Sequence, residues 1–181
     1  MLLDSSKLCL LVIDIQEKLI NKIFDKEKIR SFTLKTIEVF ELLNLPILYC
    51  EQYPKGLGLT TEEIKKKLDD VEARKFEKTT FSCFATSDYE SLLKPQVKQI
   101  LLCGIETHIC VLQTAYDLIN KGYNVFLVDE ATGSRKPMDR KLGLERMTSM
   151  GVNLINFEML IFEIIRDSKH PKFKDLSRLI K

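Results

Sequence analysis

Apolar residues in this chain fall into short continuous runs separated by longer stretches of mixed polarity. Leu8 to Ile13 is apolar throughout and ends at Asp14. A segment with no polar face suits a central parallel strand, buried on both sides. "LPILYC" (45–50), "VKQILLC" (97–103), "NVFLVD" (124–129) and "VNLIN" (152–156) read the same way, and "VEARKF" (71–76) is a weaker strand. Between them the apolar spacing lengthens. Ile29, Phe32, Ile37, Phe40 and Leu43 favour a helix over 27–44. Further helices are predicted over 107–121, 138–150 and 157–166.

Local signals refine this outline. "YPKGLG" (53–58) is a loop by its Pro and Gly content. Thr60 or Thr61 caps a short helix in "TTEEIKKKL", where acids come first and lysines last, as the macrodipole favours. Ser87 or Asp88 opens another short helix, and the polar tail "DSKHPKFKDLSRLIK" allows a last one. Gly122 and Gly151 follow helices as C-terminal cap residues. Strands alternating with helices imply an α/β fold, a mostly parallel sheet covered on both faces. No repeat or linker divides the chain, so residues 1–181 read as one domain.

Composition narrows the class. With 181 residues, 45% hydrophobic and 30% charged, the chain can bury a sizeable core. A net charge of +2 gives no electrostatic footprint for nucleic acid or a membrane surface. No run reaches the roughly 20 apolar residues of a membrane span. "LCLLVI" lacks a basic leader and a cleavage site, and a cytoplasmic protein is expected. The five cysteines include no CxxC pair, which suggests neither a disulfide framework nor a zinc site. Cys9, Cys50 and Cys103 lie in strand-like runs and read as inert core fillers.

Chemistry in an open α/β sheet sits at the carboxyl ends of the strands. That rule nominates Asp14, residues 51–53, 75–84, 104–110 and 129–135. The turn after the first strand, "DIQEKL", has no glycine cradle for a dinucleotide, and His108 and His170 stand far apart with no matching carboxylates. No cofactor and no metal is expected. Cys110 is the sharper candidate. With Thr107 as N-cap it occupies the third helical position, where free N–H groups and the helix dipole favour thiolate. Asp14 would accept its proton, supported by a cation from Arg74, Lys75 or Lys78; spacing does not choose among them.

"LVIDIQ", "EKTTFSCF" and "CGIETHICVLQTA" together resemble the isochorismatase-like cysteine hydrolases, and "EQYPKGLG" is similar to a branch of uncharacterised isochorismatase-domain proteins. The resemblance implies a six-stranded parallel sheet and a catalytic triad of Asp14, Lys78 and Cys110. It implies backbone oxyanion donors at Glu106 and Cys110, and a cis Ile105–Glu106 peptide bond. A substrate pocket walled by Gln16, Tyr53, Phe81, Phe84, Ile105 and Thr107 is expected around them. The loop "EQYPKGLG" carries no histidine, which argues against the metal-dependent nicotinamidase chemistry of some relatives. Cys83 reads as pocket wall or core. The expected activity is hydrolysis of a small amide, ester or imide-like carbonyl through an acyl-thioester; the alternative is a binding or assembly protein on the same scaffold. Apolar spacing in "LINFEMLIFEII" favours a homo-oligomer, a dimer or larger.

Overall fold

The computed structural model describes residues 1–85 and 91–181, so the helix expected from Ser87 or Asp88 lies outside the described residues. Six strands form one sheet: β1 (Leu8–Ile13), β2 (Ile47–Gln52), β3 (Arg74–Lys78), β4 (Gln99–Ile105), β5 (Asn124–Gly133) and β6 (Asn153–Ile155). Their order is β3-β2-β1-β4-β5-β6, and every pairing is parallel. The chain runs outward from β1 to β3, then returns to the far side of β1 with β4. The strand order therefore reverses between β1 and β4. At such a switch point the loops diverge and leave a crevice.

Side chains alternate across the sheet and divide the core in two. Leu8, Leu10 and Val12 of β1 face α2 (Lys26–Leu42), α7 (Phe157–Ile165) and α8 (Phe173–Arg178). Cys9, Leu11 and Ile13 face the other layer, with α5 (Leu112–Asn120) and α6 (Pro137–Ser149). Both faces of β1, β2 and β4 are buried along their whole length, as the unbroken apolar runs require.

Three differences from the sequence reading matter near the site. Strand β2 extends to Gln52, because its last polar residues have buried partners: Glu51 accepts from Thr60 N–H and hydroxyl at 2.8 and 2.9 Å. Residues 53–58, expected as a loop, contain a helical turn, α3 (Pro54–Leu57), started by Pro54 in the first turn and ended by Gly58 at φ 82°. The helix expected over 107–121 opens instead as a π-helical turn, Thr107–Val111, with Val111 N–H bonded to Glu106 C=O at 3.2 Å. Thr107 is not the N-cap. Its hydroxyl lies 3.1 Å from that of Thr132, which in turn donates to Gly104 C=O at 2.9 Å. Elsewhere, Thr61 precedes α4 (Glu62–Asp70) without a side-chain cap, and the Thr60 hydroxyl is taken by Glu51. A further helical turn that the pattern did not predict, α1 (Glu17–Ile20), follows β1.

Candidate active site

The site assembles from the ends of four strands. Asp14 follows β1, Gln52 and Lys78 end β2 and β3, and Cys110 lies in the turn after β4. Asp14 holds φ at 53°, a region rarely occupied outside glycine and asparagine-like residues. The bend is fixed by Asp14 N–H donating to Cys50 C=O at 3.3 Å and Gln16 N–H donating to Asp14 C=O at 2.7 Å. On the other side, Gly104 adopts φ 126°, and a Cβ there would stand 2.1 Å from the Ile13 carbonyl oxygen. Only glycine lets β4 pass this close to the residue before Asp14. The peptide bond Ile105–Glu106 is cis.

Lys78 is inside the protein with its ammonium fully used. Its Nζ donates to Asp14 Oδ2 at 2.7 Å, to Gln52 Oε1 at 2.7 Å and to Phe81 C=O at 3.0 Å. Strand register explains the choice of lysine that spacing left open. Lys78 pairs beside Gln52 and turns inward, whereas Lys75 is half-exposed and ion-paired to Glu51 Oε2 at 2.9 Å and Glu77 Oε1 at 3.1 Å. Arg74 is exposed and bonds to the Leu92 carbonyl.

Three thiols share the buried layer beside this carboxylate. Cys50 donates to Asp14 Oδ1 at 3.0 Å, and its sulfur lies 3.3 Å from that of Cys83. Cys110 packs in the same buried cluster as Ile13, Cys50 and Cys83. Burial raises the Asp14 carboxyl above its ordinary range, against the pull of the Lys78 ammonium and the Cys50 thiol. The same burial, helped by the Asp14 charge, pushes the Cys110 thiol well up, and Lys78 only partly opposes it. Cys110 therefore rests as a thiol beside a strengthened base. The turn that holds Cys110 is π-helical with Glu106 at its N-cap, so the α-helical third position expected behind Thr107 is not the one the chain forms. Cys50 is likewise no inert filler, because its position near the end of β2 turns it onto Asp14.

The expected pocket residues divide. Tyr53 and Phe81 are exposed, at 53% and 55%, and Tyr53 lines a cleft with Pro54, Lys55, Glu77, Lys78 and Thr79. Gln16 is buried as a tie, donating to Gln52 C=O at 3.0 Å and Gly58 C=O at 2.6 Å. Phe84 packs in the α5 layer, Ile105 in the α2 layer, and Thr107 is fully buried. Glu106 is nearly buried; its carboxylate accepts from Arg135 N–H at 3.0 Å and Nε at 3.1 Å. His108 Nδ1 meets the Ser134 hydroxyl at 3.0 Å. Sequence reasoning nominated Gln52 within residues 51–53 but gave it no role, and it missed the Cys50 contact; in the structure Gln52 accepts from Lys78. The polar ending of an otherwise apolar run was the available signal for Gln52.

Among the described residues no cluster of His, Cys, Asp and Glu is arranged to hold a metal, and no helix is long and apolar enough to cross a membrane.

The chain is similar to several known proteins along nearly its whole length. The chain is 38% identical over 172 residues to isochorismatase domain-containing protein 2 of Xenopus laevis, covering 94% of this chain and 82% of that protein. It is 38% identical over 175 residues to the secreted isochorismatase effector Isc1 of Phytophthora sojae, covering 95% and 83%. Among solved structures, the MAR1 ribonuclease of Caenorhabditis elegans superposes with a TM-score of 0.93 at 37% identity, covering 99% of this chain and 92% of that one. Residues 8–159 match the isochorismatase domain, and the chain belongs to that family.

Proposed function

We propose that this protein is a cysteine hydrolase of a small amide, ester or imide-like carbonyl. One observation carries the reading: a buried carboxylate, Asp14, binds the Lys78 ammonium at 2.7 Å, and Cys110, in the turn after β4, packs in the same buried cluster as Ile13, the residue before Asp14. A base held between a fixed cation and a nucleophile is the constellation that acyl transfer needs.

In the first step Asp14 takes the Cys110 proton as the sulfur attacks the carbonyl carbon. The raised Asp14 carboxyl makes this transfer less uphill than it would be for an ordinary aspartate. Backbone N–H groups of Glu106 and Cys110 receive the oxyanion. Asp14 then gives its proton to the leaving amine or alcohol, leaving an acyl-thioester on Cys110. Water attacks next, with Asp14 again as base, and the acid product departs with the thiol restored. Lys78 acts through Asp14. Its three short bonds leave it no donor for substrate, so it is a positioning residue that keeps the carboxylate charged and aimed. Tyr53 and Phe81 form the accessible pocket wall; Gln16, Phe84, Ile105 and Thr107 support it from behind.

Residues 1–181 act as one domain in this reading. An oligomer is favoured by the exposed apolar side chains of Leu2, Met159 and Phe162, which line one shallow depression. Five free cysteines favour a reducing compartment and hence the cytoplasm, although the Phytophthora sojae relative is described as secreted. The Caenorhabditis elegans relative carries the name ribonuclease, which supplies the competing activity.

Turnover of a panel of small amides and esters, run beside an RNA substrate, tests the proposal. Hydrolysis of the carbonyl compounds that disappears in Cys110→Ala supports it. RNA cleavage lost in the same variant, with no carbonyl turnover, overturns it, and so does a chain that turns over nothing while binding small ligands.

A further inference from the structure

The hydrolase reading uses one of the three thiols in this layer of the core. The other two form a close pair: Cys50 and Cys83 stand sulfur to sulfur at 3.3 Å. A disulfide needs about 2 Å, so a shift of little more than 1 Å joins them. Cys83 lies in the irregular segment after β3, anchored through its N–H to the Thr114 hydroxyl at 3.0 Å rather than in a ladder. Such a segment yields more readily than strand β2, which holds Cys50.

Both sulfurs are sealed from solvent, and Cys110 is the most accessible of the five cysteines, at 7%. Cys110, Cys83 and Cys50 all belong to the one buried cluster that α5 and α6 cover, so the three thiols lie in the same layer of the core. A small oxidant entering the site meets Cys110 first. Cys9 and Cys103 take no part; they are buried elsewhere, and burial pushes each thiol up to about 12.

We propose that Cys110, Cys83 and Cys50 form a peroxide-driven thiol relay that ends in a Cys50–Cys83 disulfide and returns Cys110 to its free form. The proposal rests on the hydrolase reading only for the activation of Cys110 by Asp14. Asp14 takes the Cys110 proton, and the sulfur attacks hydrogen peroxide. The O–O bond breaks, Cys110 becomes a sulfenic acid, and the departing hydroxide collects the proton from Asp14 as water. The Cys83 thiol attacks the sulfenic sulfur, forming a Cys110–Cys83 disulfide and releasing a second water. Cys50 then attacks the Cys83 sulfur and expels Cys110, which recovers a proton. Two thiols are oxidised by one peroxide, which is reduced to two waters. The arrangement spares Cys110 from the sulfinic step, which ordinary thiols do not reverse. It also removes the Cys50 hydrogen bond from Asp14, so the oxidised chain holds a differently tuned base.

The reduced full-length chain is treated with hydrogen peroxide, alkylated in denaturant with iodoacetamide and mapped by peptide mass. The expected product is a Cys50–Cys83 cross-link, lighter by two hydrogens, with Cys110 alkylated and the cross-link lost on adding dithiothreitol. Cys50→Ser should stop at the Cys110–Cys83 disulfide, Cys83→Ser should end in Cys110 sulfinic acid, and Cys110→Ala should form the cross-link at least about tenfold more slowly. If a variant fails to fold, the wild-type map alone decides. Cys110 sulfinic acid accumulating in the wild-type chain while Cys50 and Cys83 alkylate freely overturns the relay; so does a cross-link formed at an unchanged rate in Cys110→Ala. An acyl adduct on Cys110 without the cross-link overturns the relay alone, and the cross-link without any acyl adduct overturns the hydrolase reading alone.

Discussion

Replacing Lys78 by methionine keeps the side-chain bulk and removes the charge beside Asp14. At 2.7 Å and an effective dielectric near 20, the lost attraction is about 6 kcal/mol. The protein does not lose all of it. Asp14 is fully buried, and without the ammonium its carboxylate keeps the Cys50 thiol as a donor among the described residues. It takes up a proton instead, each unit of pKa rise being worth about 1.4 kcal/mol. The gain of ion-free burial offsets part of the loss, and about 3–5 kcal/mol is expected at neutral pH, as for other buried pairs broken from one side. Urea unfolding at pH 7 and pH 5 measures this. The deficit should shrink at pH 5, because less work is needed to protonate Asp14 there. Asp14→Asn combined with Lys78→Met should cost less than the sum of the two single changes, since neither leaves a charge alone. Turnover in Lys78→Met should fall at least about 10²-fold, because a protonated Asp14 is no base. A deficit under about 1 kcal/mol, or strict additivity in the double variant, would refute the reasoning that this pair is a desolvated, mutually dependent unit.

The pH dependence of kcat/KM follows from the same burial. Asp14 must be ionised to accept a proton, and its carboxyl is raised, so the rate should climb with pH through a midpoint above the ordinary aspartate value of about 3.9; a midpoint at or below it contradicts the assignment. The Cys110 thiol is also raised, so its alkylation rate should show no titration step near the usual cysteine value of about 8.5. Glu51→Gln should cost about 1–3 kcal/mol in urea unfolding at pH 7. Lys75 and the Thr60 bonds hold the Glu51 carboxyl low despite its burial, so its stabilisation is present above the unfolded value of about 4.3 and is lost as pH falls through the lower folded one; the variant's deficit should narrow in that window. Gly104→Ala places a methyl carbon 2.1 Å from Ile13 C=O at φ 126°, and a drop of about 3 kcal/mol or more in stability is expected; a soluble chain of near-normal stability would mean β4 passes β1 less closely than described.

The sheet was legible because its strands are buried on both faces, and continuous apolar runs such as Leu8–Ile13 have no other economical explanation. Asp14 was legible as the first polar residue after such a run. Lys78 was not legible from spacing, because three basic residues share a short segment and only the pairing beside Gln52 selects the inward one. The start of the helix after β4 was misread because the Thr107 hydroxyl, a good cap by local rules, is claimed by Thr132 from another strand. Cys50 was read as filler because sequence gives a strand residue's burial but not the neighbour its sulfur meets. The resemblance of "EKTTFSCF" and "GIETHIC" to a known family supplied what local physics left open, the lysine at the end of β3 and the cysteine in the turn after β4.

The central claim is that Cys110 carries the acyl group. Intact mass and peptide mapping of the chain, quenched in acid within seconds of mixing with activated small esters, measures it directly. The account predicts a mass increase equal to the acyl group on the Cys110 peptide, decaying as acid product appears, and absent from Cys110→Ala. Turnover that persists undiminished in Cys110→Ala, or an acyl group found on Cys50 or Cys83 instead, would contradict it.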